Sequence, residues 1–285
     1  MSFDANAHRQ ASREGWEEAA AGWQRQQERV RAFGAPVSAW MLDAITPQPG
    51  QRVLELAAGM GETGMLAAEL VAPIGGVIVS DQAEAMLAGA RARAAELSLS
   101  NIEFQVLNAE WIDLPVASVD AVLCRWGYML MADPAAALGE TRRVLRPGGR
   151  LALAVWDAIE LNPWALEPAL ELHERELGPS PDEVRERPGP FALGSSEALT
   201  ELLEGAGFHE IRVHALDLVR RHSSFDELWE VTLDLSRVFH DAVLSRPAAE
   251  VHEIKAGLAA RLSRYAGEDG ALAVPARTLV ASASA

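Results

Sequence analysis

The stretch Val53-Leu54-Glu55-Leu56-Ala57-Ala58-Gly59-Met60-Gly61-Glu62-Thr63-Gly64 decides how the rest of the chain is read. It is an apolar run carrying one acid, followed by a glycine turn and by Met65-Leu66-Ala67-Ala68-Glu69-Leu70. The pattern predicts a buried strand, a loop and the start of a helix. Gly59 and Gly61 have no Cβ and tolerate positive φ, so a ligand can lie directly against the backbone there. An ordinary tight turn would look much the same, and the flanking sequence has to decide between them.

Downstream, strand and helix patterns alternate. Gly76 to Asp81 reads as a strand ending in an acid, and Ala83 to Leu97 as a helix with Met86, Leu87, Ala90 and Ala94 on its apolar side. Ile102 to Leu107 and Val119 to Cys124 read as two more strands. A helix follows from Pro134 to Leu145, begun by Asp133 and stopped by Pro147-Gly148-Gly149, then a strand from Leu151 to Val155. Strands rich in Val, Ile and Leu between helices predict an α/β fold whose parallel sheet is covered on both faces.

Upstream, residues 8 to 33 read as one helix, with Trp16, Ala19, Ala20, Trp23, Gln27 and Val30 on a single face. Residues 157 to 194 break the rhythm with several prolines, Trp164 and a helical stretch from Leu166 to Leu177. Ser195 to Ala206 resumes as helix, Ile211 to Val219 as strand, residues 225 to 266 as helix, and Thr278 to Ala281 as a last strand. Two units result: an N-terminal helical segment, 1 to 46, covering the ligand site, and an α/β domain, 47 to 285, with cap insertions at 157 to 194 and 225 to 266. Inserted helices of this kind also serve as homodimer surfaces.

In an open parallel sheet, ligands bind at the carboxyl ends of the strands, where Glu55, Asp81, Asn108 and Arg125 fall. Asp81 follows the second strand, where a carboxylate can accept hydrogen bonds from both hydroxyls of a ribose. Capping the next helix is its alternative use. Gly59, Gly61 and Gly64 satisfy G-x-G-x-x-G, and Asp81 lies at the offset of a dinucleotide site. Glu55, four residues before the first glycine, instead suits a cationic ligand carrying an amino group and a sulfonium.

Five ordered segments then carry a resemblance. They are Val53 to Gly61; Asp81-Gln82-Ala83-Glu84-Ala85-Met86-Leu87; Asn108-Ala109-Glu110 with Asp113-Leu114-Pro115; Ser118 to Val122; and Glu140 to Gly149. In order and spacing they resemble the class I S-adenosylmethionine-dependent methyltransferases, and within them the group related to ubiquinone and menaquinone C-methyltransferases. The resemblance spans roughly residues 50 to 156, with a fainter echo at 190 to 220. It implies a Rossmann-like seven-stranded sheet, parallel except for an antiparallel last strand, and S-adenosylmethionine as the donor, leaving S-adenosylhomocysteine as product. It implies the methionine moiety over Glu55, Ala57, Gly59 and Gly61, and the ribose on Asp81 with Gln82 beside it. The adenine falls by Met86 and against Asn108, Ala109 and Glu110, and the amino group near the carbonyl of Cys124 or Arg125. Ala57 and Ala58 stand where glycine and a small polar residue are frequent, and Asn108 where aspartate is usual.

Methyl transfer from a sulfonium is an in-line displacement in which the positive charge is lost, so a dry apolar pocket favours it. Trp126, Tyr128, Trp156, Trp164 and Phe191 are the aromatic candidates for that pocket, closed by Trp16 and Trp23; Trp126 and Trp23 lead, and core packing accounts for many of the rest. A base is needed only for a poorly acidic hydroxyl. His173 and His222 are the candidates, although a solvated surface histidine is the simpler reading of each.

Composition narrows the partners. Forty-one acidic residues against twenty-five basic give a formal charge of −16, which repels nucleic acid and anionic membranes. Cys124 is the only cysteine, excluding an internal disulfide and a multi-thiolate metal site, and no metal is expected. No apolar run reaches membrane-spanning length, and Met1-Ser2-Phe3-Asp4-Ala5-Asn6 lacks a secretory pattern, so a cytoplasmic protein is expected. The expected activity is methyl transfer to a small, partly apolar metabolite. The alternatives are a nicotinamide-dependent oxidoreductase and a non-catalytic S-adenosylmethionine-binding protein.

Overall fold

The computed structural model describes residues 3 to 186 and 188 to 285; residues 1 and 2 of the leader reading, and residue 187 within the first cap segment, lie outside the described residues. In chain order the elements are α1 (Ala5–Arg25), α2 (Gln27–Ile45), β1 (Arg52–Glu55), α3 (Glu62–Val71), β2 (Gly76–Asp81), α4 (Glu84–Glu96), β3 (Ile102–Val106), β4 (Val119–Arg125), α5 (Pro134–Val144) and β5 (Leu145–Trp156). They continue with α6 (Pro163–Glu174), α7 (Pro181–Glu186), α8 (Ser196–Gly205), β6 (His209–His222), α9 (Phe225–Leu235), α10 (Arg237–Leu244), α11 (Ala248–Leu262) and β7 (Leu272–Ser284).

The seven strands form one sheet in the order β3-β2-β1-β4-β5-β7-β6. β1 to β5 pair in parallel, and β7 runs antiparallel between β5 and β6. Strand order reverses between β1 and β4, which opens a crevice beyond their carboxyl ends. The core follows from the run of apolar strand residues: Val53, Leu54, Val79, Val122, Leu123, Leu153 and Val280 are all fully enclosed.

Several boundaries differ from the sequence reading: β5, β6 and β7 are longer than expected, and the stretch 225 to 266 is three helices and a short 3-10 turn. The N-terminal helix is two helices, broken at Gln26, and the second runs on past Pro36 to Ile45. The break lets α1 dock on α9: Gly22 packs against the Asp234 backbone, which leaves no room for a Cβ, and the Gln26 side chain donates to Asp234 over 2.8 Å. The helix α5 ends at Val144, before Pro147-Gly148-Gly149, because the chain has already joined β5; those residues lie in its irregular opening.

The two insertions meet. Leu172 of α6 packs with Leu228, Trp229, Phe239, Ile254 and Leu258 in a second core beside the sheet. Two buried acids in α6, Glu167 and Glu171, are held by Arg264 and by Arg261 and Arg175. No helix among the described residues is long and apolar enough to cross a membrane.

Candidate active site

A cleft of about 960 Å³, including its open mouth, lies over the carboxyl ends of β1, β2 and β4, with α1 as its outer wall. Its floor is the glycine turn. Leu56 N–H bonds the Leu123 carbonyl and Ala58 N–H the Ser80 carbonyl, so the sheet ladder carries on into the loop. Ala57, Gly59 and Gly61 then take φ of 48°, 56° and 75°, the left-handed region that reverses the chain into α3. A Cβ at Gly59 would meet no atom within 4 Å and would enter the cleft, whereas one at Gly61 would press on Val79, Ala90 and Met65. Gly59 thus leaves the cleft floor open, and Gly61 serves packing.

Asp81 is buried, and its two carboxylate oxygens accept from Gly59 N–H and Ala83 N–H, each at 2.9 Å. Burial raises its pKa, opposed by these backbone bonds. Each oxygen keeps a lone pair, and the residue borders the cleft with Gln82, Met86, Asn108, Ala109 and Glu110. Asn108 Oδ1 accepts from Glu110 N–H at 2.9 Å, so its side-chain oxygen is already engaged in its own turn.

Glu55 stands elsewhere than its sequence position suggests. The strand pleat turns it under the loop, where Oε2 accepts from Gly64 N–H at 2.9 Å, and it does not border the cleft. Burial pushes its carboxyl up to about 8, countered by Arg125 and reinforced by Glu62. A Cβ at Gly64 would collide with that carboxylate, so the third glycine is needed for this contact. Cys124 is equally remote: it is fully buried, and burial pushes the thiol up to about 12.

In place of Glu55, the glycine turn presents Glu62 to the cleft, in the first turn of α3 and paired with Arg125 at 3.1 Å. Their side chains are only 7% and 8% exposed. Burial raises the Glu62 carboxyl, and Arg125 holds it down. Glu62 Oε1 and Arg125 Nη1 are enclosed without a hydrogen-bond partner. Gly34 of α2 makes room for the guanidinium, where any Cβ would clash.

His8, Arg9, Ser12, Trp16 and Trp23 of α1 all border the cleft. Arg9 Nε bonds Glu110 at 2.9 Å, Gln82 donates to Ser12 at 2.9 Å, and the Glu17 carboxylate accepts from Glu84 N–H (2.7 Å) and Ala85 N–H (3.0 Å). The last contact caps α4, which has no side-chain cap of its own. Arg9 and Ser12 share the Trp16 and Trp23 face at helical spacing, a signal the apolar stripe alone does not carry.

Of the aromatic candidates, Trp126 borders the cleft; Tyr128 and Trp156 do not. Trp126 sits at φ 61°, a strained left-handed position for a bulky residue, held by Nε1 donation to Thr278 Oγ1 at 3.0 Å. Its ring stacks on Trp156 with centroids 4.5 Å apart. Tyr128 is fully enclosed against Thr141, at 2.6 Å between hydroxyl oxygens. His173 is exposed on α6, and His222 is buried at the end of β6, outside the cleft. Burial, then Arg29 and Arg220, lower His222 to about 4, too acidic for a base at neutral pH.

A family model described as a methyltransferase domain matches residues 47–188. The chain is 30% identical over 203 residues to nocamycin O-methyltransferase of Saccharothrix syringae, covering 69% of this chain and 72% of that one. It is 32% identical over 123 residues to a ubiquinone/menaquinone biosynthesis C-methyltransferase of Pasteurella multocida, which spans 43% of this chain and 46% of the relative. In fold it matches the crystal structure of a candidate methyltransferase from Bacillus halodurans, with a TM-score of 0.56 at 19% identity over 87% of this chain and 97% of that one. The glycine turn, the strand order and these relatives agree: the chain belongs to the class I S-adenosylmethionine-dependent methyltransferases.

Proposed function

We propose that the enzyme methylates a small, partly apolar metabolite held beside Trp126, under the N-terminal helix. The observation that carries this reading is the continuity of one cleft, from the Asp81 carboxylate past Gly59 to the Trp126 ring. The residues present suit S-adenosylmethionine. The open space at Gly59 fits close approach of a ligand, and the orphaned Glu62 Oε1 and Arg125 Nη1 match the ammonium and carboxylate of an amino acid. On this reading Asp81 holds the ribose hydroxyls, and Met86 and Ala109 flank the adenine.

The donor, once bound, supplies an electrophilic methyl group on a positively charged sulfur. The chain's part is to orient and to keep water out. Trp126, fixed by Thr278, presents a rigid apolar face, and Trp16 and Trp23 close the opposite wall. No histidine borders the cleft apart from His8, whose Nε2 lies 3.0 Å from the Leu130 carbonyl, so an acceptor that ionises readily or reacts as a carbanion suits the site best. Relatives named as O- and C-methyltransferases both match, and the acceptor atom is left to experiment. The absence of a nucleic-acid partner, read from the formal charge of −16, belongs to the same proposal.

The test is a screen of small phenols, enols and carboxylic acids with methyl-labelled S-adenosylmethionine. Label transfer to a compound of this class, lost in Trp126→Ala while S-adenosylhomocysteine binding persists, is the expected result. Donor binding with no transfer to any compound would favour a non-catalytic binding protein.

A further inference from the structure

The first turn of α4 leans on the N-terminal helix rather than on the sheet. Further along α4, Leu87, Ala90 and Ala94 sit in the main core, whereas Ala83, Ala85 and Met86 pack in a separate small cluster with Trp16, Ala19, Ala20 and Trp23 of α1. The amides of that turn are shared between two carboxylates. Asp81 accepts from Ala83 N–H, and Glu17 of α1 accepts from Glu84 N–H with one oxygen and from Ala85 N–H with the other. The first amides of a helix have no intrahelical acceptor, and α4 has no side-chain cap of its own. Glu17 therefore supplies from another element the cap that the local sequence lacks, and its negative charge meets the positive end of the helix.

Glu17 does not border the cleft. The residues on either side of the segment it holds do: Asp81 and Gln82 before it and Met86 after it. Gln82 is tied to α1 as well, through Ser12. The two carboxylates sense each other, because the Glu17 charge, after burial, is among the influences that raise Asp81. One side chain of α1 thus fixes backbone whose neighbours form the wall assigned above to ribose and adenine.

We propose that Glu17 is a positioning residue for the methyl donor: by capping α4 from α1, it holds Asp81, Gln82 and Met86 in the arrangement that receives the adenosine half. Donor affinity then depends on a docked N-terminal helix. This rests on the methyltransferase reading above and gives a share of donor binding to a residue outside the cleft.

The test is calorimetric titration with S-adenosylhomocysteine and with methylthioadenosine, which carries ribose and adenine without the amino acid. Glu17→Ala should weaken both by the same factor, about five- to tenfold, the equivalent of one lost cap. Glu17→Gln keeps an acceptor oxygen and should retain part of the affinity. Glu18→Gln is the control: it removes the same charge from the same helix, at a residue paired with Arg237 of α10, and should leave both affinities unchanged. In the unmutated enzyme, amide exchange at Glu84 and Ala85 should slow on adding methylthioadenosine, a readout that needs no variant. Unchanged affinity in Glu17→Ala, an equal loss in Glu18→Gln, a loss confined to S-adenosylhomocysteine, or exchange at Glu84 and Ala85 that ignores methylthioadenosine overturns the proposal. If neither ligand binds the unmutated enzyme, the methyltransferase reading fails instead.

Discussion

The two walls of the cleft are built on opposite terms. On the donor side, Asp81 and Glu110 meet partners within the chain, through the Gly59, Ala83 and Ala132 amides and the Arg9 side chain, and Glu55 beneath the turn meets the Gly64 amide. At the cleft's edge Trp23 Nε1 is enclosed and unpaired, as are Gln27 Nε2, Arg220 Nε and His222 Nδ1, which lie outside the cleft. Buried polar groups are normally satisfied, so the donor side is complete within the chain whereas the region toward β6 is not. Arg125 and Glu62 stand at the junction, bonded to each other and each with one unused atom.

The largest effect that would sharpen this contrast falls on stability. Trp156 is 5% exposed and stacks on Trp126, with Phe33 and Trp164 around it, so Trp156→Ala should cost about 3–5 kcal/mol. Chemical denaturation gives the number, and a loss below 1 kcal/mol would mean the aromatic layer carries little of the fold. Next, Asp81→Ala should weaken S-adenosylhomocysteine binding by about 1.5–3 kcal/mol and leave an acceptor's KM nearly unchanged. An unaltered donor affinity in calorimetry would break the assignment of that wall.

A smaller effect separates Glu55 from the ligand-facing acids. Its folded pKa, about 8, lies above the unfolded value, so the folded state holds a proton that the unfolded chain releases. The stability this contributes is fully present below the unfolded pKa and is lost as pH rises through about 8. Glu55→Gln keeps the Gly64 contact without titrating, so its melting temperature should gain on the unmutated protein between mildly acid and mildly alkaline pH. Parallel melting profiles would contradict a neutral Glu55. The smallest effect is at Ala57, at φ 48°: Ala57→Gly should relieve backbone strain and change stability by no more than about 1 kcal/mol. A marked loss would show that the Ala57 methyl, packed near Gly127, matters more than its backbone.

The legible part of the molecule was the part governed by short-range rules. Strand, glycine turn and helix follow one another within residues 53 to 70, and period-two and period-3.6 patterns placed every sheet strand. Gln82, Ala109 and Trp126 reach the cleft because they follow the ends of those strands, and Met86 because it lies in the first turn of α4. What the pattern could not carry was direction across a loop. Glu55 and Glu62 are both acids beside the turn, but only three-dimensional pleat and helix phase turn the first inward and the second to the cleft. Tyr128 follows the cleft residue Gly127 and Trp156 ends β5, and packing takes both into the core. Arg220 is invisible in one dimension because Phe33, Trp156 and Trp164, its cage, come from three distant segments. The break at Gln26 depends likewise on Asp234, more than two hundred residues along the chain.

Hydrogen exchange with S-adenosylhomocysteine tests the division of the cleft most directly. The account predicts added protection at residues 57 to 61, 81 to 83 and 108 to 110 and along α1, whose Arg9, Ser12 and Glu17 contacts would tighten over the bound ligand. The caps at 157 to 194 and 225 to 266 should respond only when a methyl acceptor is added as well. Protection confined to the caps, or the same response of the glycine turn to NAD, would contradict it.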